Sequence, residues 1–150
     1  MKNKKIISLS ALLLLTIWYS LIFWDPSRFT VGDPPGVVSI YGLLMVLLIS
    51  SIAGKLANWK YIDHFSALYL AAWAILQWQA HWQAFFFGAP RQKIAGYNSY
   101  FSGTFRFSEA STETLIPDLY HTILGVLLAI TLIITLYNVG IIIKKNLLKR

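Results

Sequence analysis

Long stretches without a single charged residue alternate with short charged segments along this 150-residue chain. The uncharged stretches cover residues 6–24, 34–54, 64–90 and 119–143. A helix needs about 20 mostly apolar residues to cross the hydrocarbon core of a bilayer. The pattern therefore predicts an all-α integral membrane protein with four transmembrane helices, over about 6–24, 37–54, 62–87 and 117–143.

The composition strengthens this interpretation. Hydrophobic residues make up 57% of the chain and charged residues only 13%, whereas a soluble domain carries about 25% charged residues. Four membrane-crossing helices would use most of the length. We therefore expect residues 1–150 to form a single four-helix transmembrane domain.

The basic residues are unevenly distributed between the segments that join these helices. If the amino terminus is cytoplasmic and the helices alternate, nine of the 13 lysines and arginines fall on the cytoplasmic side. The outer side holds Arg28, Arg91, Lys93 and Arg106. This bias follows the positive-inside rule and predicts a multi-pass protein of the cell membrane with both termini cytoplasmic. It also accounts for the net charge of +7 without nucleic acid, which we do not expect as a partner.

The one long connection, residues 88–116, is predicted to lie on the outer side and is rich in aromatic residues. Alternation of aromatic and polar positions over 101–107 predicts a small hairpin. Long loops with structure of their own are often functional. Residues 88–116 would therefore form either a lid over the mouth of the helix bundle or an anchor in the head-group region.

Polar residues form stripes on the third and fourth predicted helices. Such side chains are costly in lipid, so the stripes should face each other inside the bundle. Interhelical hydrogen bonding alone would explain the serines, threonines and glutamines. Together with the aromatic loop, the stripes predict a ligand groove and lid formed by Trp73, Gln77, Tyr97, Tyr100 and Phe105.

Two histidines near the outer ends of these helices suggest chemistry. His81 and His121 should lie at similar depth, and Asp118 shares a helix face with His121 because it stands three residues earlier. With Glu113 they form a candidate acid–base cluster. A divalent metal or a haem held by His81 and His121 is an alternative, although nothing in the sequence requires a cofactor. A purely structural role is another.

Two hypotheses for function follow. In the first, the protein is an accessory subunit or a small-molecule or lipid-binding component, with a polar groove between helices 3 and 4 that opens outward. In the second, it is a small membrane enzyme that acts on a lipid or isoprenoid at the outer leaflet by acid–base or metal-assisted chemistry. The lipid bilayer is the expected partner, together with other membrane subunits or further copies of the chain. The absence of cysteine excludes thiol chemistry in either case.

Overall fold

The computed structural model describes residues 2–25, 36 and 38–148. The α-helices are α1 (Lys2–Trp24), α2 (Ile40–Leu56), α3 (Ile62–Gln77), α4 (Gln83–Phe87), α5 (Arg91–Tyr100) and α6 (Leu119–Leu147). A π-helical turn, Trp78–Trp82, joins α3 to α4 without a break. No strand occurs among the described residues, so the all-α fold class is confirmed.

Capping side chains set the beginnings of two long helices. Ser39 precedes α2 and Asp118 precedes α6, and each side chain accepts a hydrogen bond from the N–H three residues later. Such caps satisfy backbone donors that have no partner within the helix. The predicted starts at 37, which itself lies outside the described residues, and at 117 are therefore slightly early. At its other end α6 continues past 143 through Lys144 and Lys145, cations that suit a helix carboxyl end.

The long connection differs from its prediction. Residues 91–100 form α5, and residues 101–107 form turns and bends, so the predicted hairpin is wrong. The reason is packing: Ile94 is buried against Ala84 and Leu115, which holds α5 on the end of α4. The aromatic alternation that suggested a strand instead places Phe101 inside and leaves Phe105 and Phe107 exposed.

The four longest helices, α1, α2, α3 and α6, pack in sequence around one core. Helix α1 contacts α2, α2 contacts α3, and α6 contacts both α3 and α1. Apolar and aromatic side chains from all four helices fill the interior, namely Leu12, Leu15, Tyr19, Ile22, Leu48, Leu70, Trp73, Tyr120, Leu124 and Leu128. This packing places the beginning of α6 beside the π-helical turn, which is where the candidate site lies.

Two segments, Asn3–Trp24 and Leu119–Leu147, are long and apolar enough to cross a membrane by length and composition. Helix α2 is apolar but shorter, with 17 residues. Helix α3 is also short, with 16 residues, because the π-helical turn divides the predicted helix over 62–87. The structure thus supports membrane association through two of the four predicted helices.

Candidate functional site

Two stacked histidines lie at the end of the molecule that carries the 88–116 connection, which we call the loop end. His81 belongs to the π-helical turn and His121 to the first turn of α6. Their ring centroids are 3.9 Å apart and the planes differ by 21°. Both residues are buried, with 7% and 9% of their surface exposed. The π-helical turn is notable here because such turns are frequent at functional sites.

Asp118 fixes the position of the second histidine. Its carboxylate is fully buried and contacts His121 twice. Oδ1 accepts the backbone N–H of His121 at 3.0 Å, and Oδ2 lies 2.6 Å from the ring nitrogen Nδ1. One carboxylate therefore caps the helix and also orients the imidazole.

Tyr97 connects the two halves of the site. Its hydroxyl donates to Asp118 Oδ2 at 3.4 Å and lies 3.0 Å from His81 Nδ1. Burial, and then the charge of Asp118, raise the pKa of the Tyr97 phenol above its ordinary value. The hydroxyl therefore stays protonated and remains a donor at physiological pH.

This connectivity assigns the protons on both rings. A carboxylate only accepts hydrogen bonds, so Nδ1 of His121 carries a proton and donates a hydrogen bond to Asp118. The Tyr97 hydroxyl has one proton, and when Asp118 accepts that proton, Nδ1 of His81 donates to the Tyr97 oxygen. When the rings are neutral, Nε2 of each histidine is therefore an acceptor. Neither Nε2 atom has a hydrogen-bond partner in the part of the chain that the structure describes.

The connection after α5 supports this network from outside. Phe101 contacts both histidines edge-on, with centroid distances of 6.1 Å to His81 and 5.4 Å to His121. Arg106 donates to the Asn98 side chain at 2.9 Å and to the Phe101 carbonyl at 3.2 Å. These bonds tie the turn after α5 back onto the helix and hold Phe101 over the imidazoles.

A cavity of about 200 Å³ adjoins the histidines on the interior side. Aromatic and apolar residues from α1, α2, α3 and α6 form its walls, among them Tyr19, Tyr41, Trp73, Tyr120 and Leu124. Gln77 also lines it, and its amide oxygen is buried with no hydrogen-bond partner among the described residues. The cavity thus combines aromatic walls with a buried acceptor that lacks a donor among the described residues.

The structure brings together most of the residues that the sequence singled out. His81, His121 and Asp118 form one network with Tyr97, while Trp73 and Gln77 line the adjoining cavity.

Three predicted residues lie elsewhere. Glu113 is exposed and does not enter the network; its backbone N–H donates to the Ser111 hydroxyl at 3.0 Å. Tyr100 and Phe105 are 56% and 52% exposed, so neither covers the histidines. The residue that does so, Phe101, was not predicted. Phe101 stands four residues after Tyr97. A predicted helix over 91–100 would therefore have placed the two side chains on the same face.

The stacked rings bear on the metal and haem alternatives. Two imidazoles that bind one iron from opposite faces need ring centres roughly 6 Å apart, because each metal–nitrogen bond is about 2 Å long. At 3.9 Å and 21° the rings of His81 and His121 are too close for that arrangement. Within the described residues, no group of three or more His, Cys, Asp or Glu side chains is arranged to hold a metal ion.

Comparison with known proteins adds nothing to this description, since no family model, curated protein or solved structure matches the chain.

Proposed function

We propose that the chain is a single-domain, multi-pass protein of the cell membrane with four membrane-crossing segments and cytoplasmic termini. Support comes from the exposure of large apolar side chains on all four long helices. Leu14 on α1, Ile49 on α2, Leu68 on α3 and Ile133 on α6 are between 53% and 77% exposed. A soluble protein rarely exposes apolar surface on every side, whereas a lipid-facing surface requires it. The nine-to-four bias of basic residues supports the orientation.

Cysteine labelling tests this arrangement directly, because the natural chain has no cysteine and gives no background. Ser102→Cys and Asn146→Cys change two exposed positions at opposite ends of the molecule. In intact cells we expect a membrane-impermeant maleimide to label the cysteine at 102 only. The cysteine at 146 should react only after lysis. Labelling of both in intact cells would contradict the orientation.

We further propose that the cavity at the loop end binds a small molecule or lipid whose head group donates hydrogen bonds. The observation that carries this proposal is the direction of the hydrogen bonds. The available protons of His81, Tyr97 and His121 are used within the network, and the two Nε2 atoms are left as acceptors. A hydroxyl or a protonated amine on the ligand would donate the hydrogen bonds that these nitrogen atoms can accept. An anionic head group is disfavoured by the buried charge of Asp118.

The aromatic walls fit the rest of such a ligand. Tyr19 and Trp73 pack edge to face with centroids 4.9 Å apart, and both line the cavity. They offer apolar surface to a hydrocarbon chain, while the histidines stand at the polar end. Pockets of this kind combine mostly apolar walls with a few polar groups that orient the ligand.

Two probes that differ by one methyl group test the ligand class. We expect 1-dodecanol to bind the purified protein in native mass spectrometry, and methyl dodecyl ether to bind about fivefold more weakly. The ether has lost the donor, and a hydrogen bond contributes about 1 kcal/mol. His121→Phe should weaken dodecanol binding by a similar factor. His64→Phe is the matched control, since His64 is exposed and outside the network. Equal binding of both probes would contradict the proposal.

A membrane enzyme acting on a lipid or isoprenoid is the second candidate, and one observation favours it. The 2.6 Å contact between Asp118 and His121 is the arrangement in which a carboxylate orients a histidine that acts as a general base through its other nitrogen. In that case Nε2 of His121 would accept a proton from a bound hydroxyl or water molecule.

Product formation separates the two candidates. Purified protein would be incubated with a total lipid extract, and new lipid species would be sought by mass spectrometry. An enzyme should form a product that disappears in His121→Phe and persists in His64→Phe. A binding component should form none, although the extract would still yield a lipid retained by the wild-type protein and lost in His121→Phe.

A further inference from the structure

A second and larger cavity lies at the opposite end of the molecule, which we call the terminal end because α1 begins and α6 ends there. Its volume is about 410 Å³. The walls come from the first residues of α1, the turn between α2 and α3, and the last turns of α6. It shares no lining residue with the cavity beside the histidines.

Lysines dominate the polar lining of this terminal-end cavity. The basic residues that contribute to it are Lys4, Lys5, Lys55 and Lys145. Among the described residues that line it, Asp63 is the one acid. Lys4, Lys5 and Lys55 against Asp63 already give this lining a net positive charge, which suits an anionic ligand.

Asp63 already forms an ion pair with one of the lysines, Lys55. Lys55 is 5% exposed and forms an ion pair with Asp63, and Asn138 donates to the same carboxylate oxygen at 3.5 Å. Lys5 is held differently, since its ammonium group donates to the side-chain oxygen of Asn58 at 2.7 Å. Lys4 lies with its nitrogen 5.0 Å above the ring of Tyr137. Asp63 therefore leaves the charges of Lys4 and Lys5 uncompensated.

The remaining walls are apolar. Ile62, Ile141 and Ile142 form part of the lining, and Trp59 adds an aromatic surface. A small soluble anion would leave this surface uncovered, whereas a molecule with an anionic head and a hydrocarbon chain would cover both parts. Basic pockets between helices at the cytoplasmic face are suited to acidic lipid head groups.

We propose that the terminal-end cavity binds the phosphate group of an anionic phospholipid in the cytoplasmic leaflet, with Lys4, Lys5 and Lys145 around the phosphate. The assignment rests on the proposed membrane placement, but it does not depend on the ligand at the loop end. The apolar walls then contact the glycerol and the first carbons of the acyl chains.

Two double variants with the same loss of charge test the proposal. Lys5→Gln/Lys145→Gln removes two cavity lysines, and Lys60→Gln/Lys144→Gln removes two exposed lysines that do not line the cavity. Full-length protein in nanodiscs of phosphatidylcholine would be titrated with phosphatidylglycerol and analysed by native mass spectrometry. We expect one tightly bound phosphatidylglycerol, weakened at least tenfold in the first variant and unchanged in the second. Equal weakening in both would overturn the proposal.

Three further measurements complete the test. Lys5→Arg/Lys145→Arg keeps the charge and should retain the lipid, which separates loss of binding from loss of folding. Inorganic phosphate at millimolar concentration should not displace the lipid, and full displacement would overturn the assignment to a phospholipid. His121→Phe should bind phosphatidylglycerol normally even if the proposed loop-end ligand is wrong.

Discussion

The two ends of this protein stabilise an acidic side chain among the helices in different ways. Each end holds an acid among the helices, the fully buried Asp118 at the loop end and the partly buried Asp63 at the terminal end. The negative charge of Asp118 is stabilised by hydrogen bonds from a histidine ring, a tyrosine and a backbone N–H. Asp63 is neutralised by the ammonium group of Lys55. The first end is left with acceptors and the second with cations, which is why we propose opposite kinds of ligand for the two cavities.

The supporting backbone differs as well. The loop end depends on the long connection, because Tyr97 and Phe101 come from α5 and the turn that follows it. The terminal end needs only the short turn between α2 and α3. There Asn58 adopts a left-handed conformation with φ of 57°, which asparagine tolerates better than most residues. Loss of the 88–116 connection should therefore affect one site and spare the other.

The largest effect is expected from breaking the ion pair at the terminal end. Lys55→Met removes the cation and leaves Asp63 partly buried without it. Breaking a buried pair from one side costs about 3 kcal/mol, and we expect the free energy of unfolding to fall by that order. Unfolding by sodium dodecyl sulfate in mixed micelles, followed by circular dichroism, would measure the difference.

The matched control for this variant removes both charges. Lys55→Met/Asp63→Leu should recover most of the lost stability, because well-packed apolar residues replace buried pairs at little cost. If the double variant is less stable than Lys55→Met alone, the loss of stability in Lys55→Met does not come from the uncompensated charge of Asp63.

A smaller loss is expected at the loop end. Asp118→Ala removes the cap of α6 and the acceptor for His121 and Tyr97, at a combined cost of about 2 kcal/mol. Asp118→Asn should lose less, since asparagine also caps helices well. Glu113→Ala is the exposed control and should stay within about 0.5 kcal/mol of wild type. The same mixed-micelle titration would measure all three, and equal losses for Asp118→Ala and Glu113→Ala would contradict the described network.

The sequence predicted the all-α class and several of the residues that meet at the loop end, because both depend on local pattern. Uncharged runs marked the long helices, and helical spacing placed Asp118 beside His121. The same periodicity put Gln77 and His81 on one face, and both line the loop-end cavity. These inferences need only the repeat of an α-helix.

What the sequence did not predict depends on contacts between distant residues. The π-helical turn that carries His81 leaves no local signature in composition. Helix α5 has few apolar residues, and its position is set by Ile94 against Ala84 and Leu115. The threonine stripe also differs from its expected role. Thr131 and Thr135 donate at 2.7 Å to carbonyls four residues earlier in α6 itself, so interhelical bonding explains them only in part.

The smallest predicted loss of stability comes from replacing glycines with alanine where two helices approach closely. A Cβ atom at Gly125 would lie 2.6 Å from the indole nitrogen of Trp82, near the loop end, whereas one at Gly54 would lie 2.5 Å from the terminal methyl of Ile62. A torsional shift of the Ile62 side chain relieves the contact at Gly54, whereas at Gly125 the whole Trp82 ring has to move, so Gly125→Ala should cost more, about 1 kcal/mol. Gly140→Ala meets nothing within 4 Å and should leave stability unchanged or raise it, because alanine favours helix. Thermal unfolding in detergent would rank the three variants, and a larger loss for Gly54→Ala than for Gly125→Ala would mean that the terminal end is the more rigidly packed of the two.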